Sequence, residues 1–107
     1  MPKLKLAIPH RLDSREAKLK LQKNLETVLS KRLGDDFIMI DESWLGLTAD
    51  ISFMLKGYPL SMCLKVKPGE IQLDGKIPLA ALPFQKQIKK DLLEIGQTAL
   101  SQGTEST

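Results

Sequence analysis

Cysteine and histidine are scarce in this chain of 107 residues, and the scarcity excludes whole classes of protein. The single cysteine, Cys63, excludes an internal disulfide framework and any cluster of cysteines around a metal ion. His10 is the only histidine, so no second imidazole is present to complete a metal site. We therefore predict that the protein holds no metal and no other cofactor.

Long apolar runs and aromatic clusters are also missing. No run approaches the ~20 apolar residues of a membrane span, and the first residues lack the apolar segment of a signal peptide. These features predict a soluble protein of the cytoplasm. The aromatic residues are three Phe, one Tyr and one Trp, too few to form a base-stacking platform beside the net charge of +3. The sequence therefore argues against nucleic-acid binding.

The chain does contain a change of hydrophobic period. Residues 45–55 alternate apolar and polar side chains, which is typical of a strand with one buried face. Residues 37–40 are apolar throughout and predict a short strand covered on both faces, followed by a turn at residues 41–43. Three more segments alternate in the same way, the last two joined by a Pro68-Gly69 turn; they are residues 3–8, 60–67 and 70–74.

Two helices are predicted from a repeat of about 3.6 residues. The first follows Asp13, which can cap the amide of Glu16, and ends at Gly34. The second has Pro83 in its first turn. Its predicted inner stripe consists of Ala81, Phe84, Ile88, Leu92, Ile95 and Ala99.

The order β-α-β-β-β-β-α predicts an α+β fold. An antiparallel sheet of about five strands would carry both helices on one face. We expect one domain over residues 1–100 and a disordered polar tail over residues 101–107.

A second apolar track on the last helix is the main candidate for a functional surface. It consists of Leu82, Leu93 and Leu100, beside the inner stripe. A helix that is apolar over so wide an arc is either covered by the first helix or exposed to a partner. We expect the track to be partly exposed and to mediate self-association, such as a homodimer, or contact with another apolar surface.

His10 and Trp44 are weaker functional candidates. His10 lies between the first strand and the first helix, where it could contact an anion or transfer a proton, or simply form one hydrogen bond in a loop. Cys63 has only Lys65 on its face, which is weak support for a nucleophilic thiol. Because no catalytic constellation is present, we predict a protein that is not an enzyme.

Several short motifs resemble the polyhydroxyalkanoic acid system family, small bacterial proteins associated with genes for polyester storage granules. The resemblance covers about residues 3–95 and includes Trp44-x-Gly46, after which Leu47 stands where the family tends to a polar residue. The other motifs are Pro9-His10-x-Leu12, Glu16-Ala17, Lys56-Gly57-Tyr58, Pro68-Gly69-x-Ile71-x-Leu73-x-Gly75, and Pro78-Leu-Ala-Ala-Leu-Pro-Phe84 leading into Ile88-Lys89.

The resemblance implies a role in polyester storage and no established reaction. The leading hypothesis is therefore a non-enzymatic accessory protein that binds the granule surface or partner proteins through the apolar helix flank. The alternative is a protein that binds a small acyl or other hydrophobic ligand. A long helix over a curved antiparallel sheet is similar to helix-grip folds, which enclose cavities of that size.

Overall fold

The computed structural model describes residues 3–101, which form a five-stranded antiparallel sheet and two helices. The predicted α+β fold is confirmed. Two short 3₁₀ segments, Gly34–Asp36 and Leu79–Phe84, precede β2 and α2 respectively. The elements are β1 (Lys3–Pro9), α1 (Ser14–Leu33), β2 (Phe37–Leu45), β3 (Thr48–Leu55), β4 (Tyr58–Lys67), β5 (Glu70–Lys76) and α2 (Gln85–Ser101).

The strands lie in the order β1-β5-β4-β3-β2. Four of them form a meander, and β1 returns to pair with β5, so that β1 and β2 are the two edges of the sheet. The register places residues such as Ile51, Met62 and Leu73 on one face, where all three are buried. Both helices cover this face, and the opposite face is polar except near β2, where apolar residues such as Ile38 are exposed.

The predicted turn and cap residues have the conformations that their chemistry favours. The Asp13 carboxylate accepts a hydrogen bond of 2.8 Å from the Glu16 amide and caps the start of α1. Gly69 has φ of +86°, as the second central residue of a type II turn requires. Gly34 has positive φ at the end of α1, although its ψ of −138° lies outside the left-handed helical region predicted for it.

The core lies between the helices and the sheet. Phe53 is completely buried, and its ring centroid lies 5.5 Å from that of Phe37 in a tilted arrangement. A β-carbon on Gly96 of α2 would lie 2.5 Å from Ile8 Cδ1 on β1. The absence of a side chain at Gly96 therefore allows α2 to approach the edge of the sheet closely.

The prediction for residues 37–45 is wrong in two respects. Residues 41–43 form no turn, because β2 continues from Phe37 to Leu45 with an irregularity between Met39 and Asp41. Nor is the segment covered on both faces, since β2 is an edge strand on which Ile38 and Ile40 are exposed. The chain instead turns at residues 46–47, where Gly46 has positive φ.

The start of the last helix also differs from the prediction. α2 begins at Gln85, and Pro83 lies inside the preceding 3₁₀ segment instead of in the first helical turn. Phe84, placed by its spacing on the buried stripe, is exposed. Ser101 is the last residue of α2, and the remainder of the predicted tail, residues 102–107, lies outside the described residues. Within residues 3–101, neither helix is long and apolar enough to cross a membrane.

Candidate functional site

Among the described residues, the 3₁₀ segment that connects β5 to α2 carries one of two groups of exposed large apolar side chains; the other lies along the edge strand β2 and the turn after it. Leu79, Leu82 and Phe84 have 71%, 39% and 55% of their surface exposed. We call these three side chains the apolar patch. They occur within six consecutive residues, a length of roughly 12 Å in a 3₁₀ helix. Clustered exposed apolar side chains of this kind commonly mark a surface that contacts a partner.

Local sequence determines the shape of this segment. Pro78 lies two residues after the end of β5, where its lack of an amide hydrogen disfavours further strand pairing, and its carbonyl accepts a hydrogen bond of 2.9 Å from the Ala81 amide. Pro83 lacks an amide hydrogen and so disfavours an α-helix through the segment. The buried residues Ile77 and Ala81 anchor it to the core. Leu79 and Leu82 are three residues apart and share one side of the 3₁₀ helix, away from these anchors.

Lysines lie on both sides of the apolar patch along the chain. Lys86 and Lys90 are exposed and lie one turn apart on α2. Lys76 ends β5 directly opposite Lys3 on β1. The Gln85 side chain donates a hydrogen bond of 3.4 Å to the Lys3 carbonyl, which places the start of β1 beside the start of α2. The patch therefore combines apolar side chains with a rim of positive charge.

Only one member of the predicted apolar track belongs to this patch. Leu82 is exposed on the 3₁₀ segment, whereas Leu93 is half-buried against the core. Leu100 is only 7% exposed, so the expectation that it lies on an exposed flank is wrong. The physical reason is that α1 packs along this side of α2. The Asn24 side chain of α1, for example, donates a hydrogen bond of 3.1 Å to the Ala99 carbonyl.

His10 joins two parts of the chain through hydrogen bonds at both ring nitrogens. Nδ1 accepts from the Leu12 amide at 3.1 Å, so Nε2 carries the proton and donates to the Lys67 carbonyl at 2.7 Å. The His10 amide also donates to the Gly69 carbonyl at 3.0 Å. These bonds fix the segment between β1 and α1 against the turn between β4 and β5, at the end of the sheet remote from the apolar patch.

Trp44 lies on β2, the edge strand farthest from β1. Its indole nitrogen donates a hydrogen bond of 2.8 Å to the Glu42 carboxylate, two residues earlier on the same face of the strand. The ring is half-buried against the core. The structure thus brings neither His10 nor Trp44 into the apolar patch.

The polar face of the sheet contains Cys63 between two carboxylates. The register places Asp50 of β3 and Asp74 of β5 directly beside it, at the floor of a concavity of about 610 Å³. Burial raises the pKa of the Cys63 thiol, and the negative charges of Asp50 and Asp74 raise it further, against the opposing effect of Lys65. A thiol held protonated in this way is a poor nucleophile.

Residues 3–101 offer little for a metal ion or an enclosed ligand. No group of three or more histidine, cysteine, aspartate or glutamate side chains among them could hold a metal. Between the helices and the sheet these residues leave a void of about 30 Å³, room for a water molecule or two. A helix-grip site for an acyl chain would need roughly ten times that volume.

Sequence reasoning missed Leu79 and misassigned Phe84. Helical spacing assigned Phe84 to the buried stripe, and Leu79 lay between two predicted elements. The available signal was the pair Pro78 and Pro83, because a segment between two prolines is more often a short turn than a continuing helix.

Comparisons with known proteins add no relative to this description. No family model, no curated protein and no solved structure matches the chain.

Proposed function

We propose that the chain is a non-enzymatic accessory protein of polyester storage in the cytoplasm. In this proposal the apolar patch contacts the surface of a storage granule or a protein bound there. The observation that carries it is the exposure of Leu79, Leu82 and Phe84 together on one short segment. The storage context comes from the motifs that resemble the polyhydroxyalkanoic acid system family.

The way in which the segment is built supports a role in binding. Ile77 and Ala81, in the same stretch of chain, are buried in the core. Instead, Leu79 and Phe84 project into solvent from a segment stiffened by two prolines. Such preorganisation lowers the entropic cost of binding. The proposed contact therefore lies on the segment before α2, and not on the helix flank that the sequence predicted.

The apolar patch predicts binding to isolated polyester granules. Tagged protein should sediment with granules, and replacing both Leu79 and Phe84 by Glu should leave it in the supernatant. The control is Leu19→Glu, which changes an exposed leucine on α1. Equal sedimentation of the wild type and the Leu79→Glu/Phe84→Glu variant would contradict the proposal.

Self-association remains a separate prediction. Leu100 is buried and Leu93 is half-buried, so a homodimer that forms through the predicted track would have to use the exposed Leu82 and its neighbours. Sedimentation velocity over a range of protein concentrations distinguishes a monomer from a dimer. A dimer that dissociates in the Leu79→Glu/Phe84→Glu variant would assign the apolar patch to self-association instead of granule contact.

A further inference from the structure

We propose that the apolar patch and its lysine rim bind an anionic phospholipid surface. This inference rests on the proposed function for the location of the contact and adds the chemistry of the partner. Leu79, Leu82 and Phe84 would enter the interface, and the lysines would lie at the level of the headgroups.

The distribution of charge carries the inference. Residues 75–90 contain four lysines and no acidic residue. Two of these lysines, Lys86 and Lys90, are exposed on one side of the first turns of α2. Lys76 and its neighbour Lys3 lie at the end of the sheet next to this segment, in a concavity of the polar face that Asp50 and Asp74 also line. Lysines close to an anionic membrane surface each strengthen its attraction for the protein, and their alkyl stems can follow the apolar side chains inward.

The acidic residues that flank this basic stretch in the sequence are Asp74 and Asp91. Asp74 lies beside Cys63 in the concavity that Lys3 and Lys76 also line. Asp91 accepts one hydrogen bond from Gln87 and lies 3.6 Å from Arg32. Lys86 and Lys90 therefore supply the exposed positive charge that follows Leu82 and Phe84 along the chain.

Other occupants fit the apolar patch less well. A second copy related by a twofold axis would place the lysine rims of the two chains close together, which is unfavourable. A nucleic acid would neutralise the lysines but would offer its phosphates, not an apolar phase, to Leu79 and Phe84. An anionic lipid surface offers an apolar phase to Leu79 and Phe84 and negative charge to the lysines.

The test is sedimentation of the purified full chain with phospholipid vesicles. We expect at least about tenfold stronger partitioning onto vesicles with one third phosphatidylglycerol than onto pure phosphatidylcholine, weakening as salt is raised. The Lys86→Gln/Lys90→Gln variant should lose about tenfold or more in partitioning. The control Lys23→Gln/Lys31→Gln removes the same charge from α1 and should bind as the wild type does.

The apolar half of the patch needs its own variant. Leu79→Ser/Phe84→Ser should lose about tenfold or more in partitioning onto the anionic vesicles, while Leu19→Ser should not. Thermal melts establish that each variant is folded. A loss of partitioning in the lysine variant alone would indicate purely electrostatic adsorption and would overturn the inference. Equal losses of partitioning in a variant and its control would also overturn it.

Granules separate this inference from the proposed function. Sedimentation with polyester granules but with neither kind of vesicle would refute the lipid inference and leave the proposed function standing. Sedimentation with neither granules nor vesicles would refute both. Binding to vesicles but not to granules would support the lipid inference and refute the polyester context.

Discussion

At the scale of single residues, His10 has the contacts of a structural histidine. Both ring nitrogens are engaged, one with the Leu12 amide and one with the Lys67 carbonyl. We expect His10→Ala to lower the free energy of unfolding by about 1–2 kcal/mol, because two partly exposed hydrogen bonds are lost. Urea denaturation followed by the fluorescence of the single tryptophan, Trp44, measures this loss. A change below about 0.3 kcal/mol would show that these bonds add nothing to stability.

Cys63 should react slowly with thiol reagents. Its pKa is raised by burial and by two carboxylates, so the thiolate fraction at neutral pH is small. Replacing Asp50 by Asn removes one of the charges that raise this pKa and should increase the rate of reaction with a chromogenic disulfide. Glu70→Gln, on the same sheet face but remote from the thiol, is the control. A rate that does not change in Asp50→Asn would contradict the assigned cause.

At the scale of elements, the approach of α2 to β1 depends on Gly96. A β-carbon there would lie 2.5 Å from Cδ1 of the buried Ile8 side chain, so that Ile8 or the helix would have to shift. We expect Gly96→Val to destabilise the protein by about 1–3 kcal/mol through overpacking. Gln97→Val tests a β-branched residue at an exposed neighbouring position of α2 and should cost less than about 1 kcal/mol. Similar costs in the two variants would mean that the contact with Ile8 is not tight.

Arg32 links α1 to α2 through an ion pair with Glu94, and this pair makes the stability of the protein depend on pH. Its guanidinium donates a hydrogen bond to the Glu94 carboxylate, which holds the pKa of Glu94 below its ordinary value and raises that of Arg32. Because the pKa of Glu94 is lower in the folded state, its stabilising effect is present above the ordinary pKa of glutamate and is lost as pH falls through the folded value.

Substituting Arg32 by Gln should therefore move the pKa of Glu94 upward, as measured by NMR titration of its side-chain carboxyl. The effect on stability should be small, since both groups are largely exposed and solvent screens the pair. A Glu94 pKa that is the same in both proteins would show that the ion pair does not form in solution.

Alternation and helical spacing predicted those elements whose faces are clearly divided. β3, β4 and β5 have one buried and one polar face, and their predicted inner residues, such as Phe53 and Leu64, are buried. β2 was harder, because an edge strand can leave apolar residues such as Ile38 exposed, and one-dimensional pattern does not show which strand lies at the edge. The irregularity after Met39 also shifts the alternation within β2.

Spacing along the chain also could not show which residues of the predicted apolar track are exposed. Leu100 and Leu82 repeat at helical spacing with Leu93, but burial depends on the position of α1, a long-range contact that spacing along α2 does not contain. The separation of Phe84 from the buried stripe required knowledge that the helix begins only at Gln85.

At the scale of the whole molecule, substitutions of two phenylalanines test the difference between the interior and the proposed binding surface. Phe53 is completely buried at the centre of the sheet, and Phe84 lies exposed in the apolar patch. Phe53→Ala should cost about 3–5 kcal/mol, the sum of lost transfer free energy and a cavity that close packing cannot fill. Ile88→Ala and Leu92→Ala, also buried, should each cost about 2–5 kcal/mol.

Phe84→Ala should cost less than about 1 kcal/mol, since little apolar surface returns to water. Denaturant melts of Phe53→Ala and Phe84→Ala measure the two losses of stability. Each melt is followed by circular dichroism and by Trp44 fluorescence, and coincident transitions show that unfolding is two-state. Equal costs would place Phe84 in the core, as its helical spacing first indicated, and would remove the apolar patch as a binding surface. A small cost for Phe84 beside a large one for Phe53 would mean that its exposed ring contributes little to folding and is available for contact with a partner.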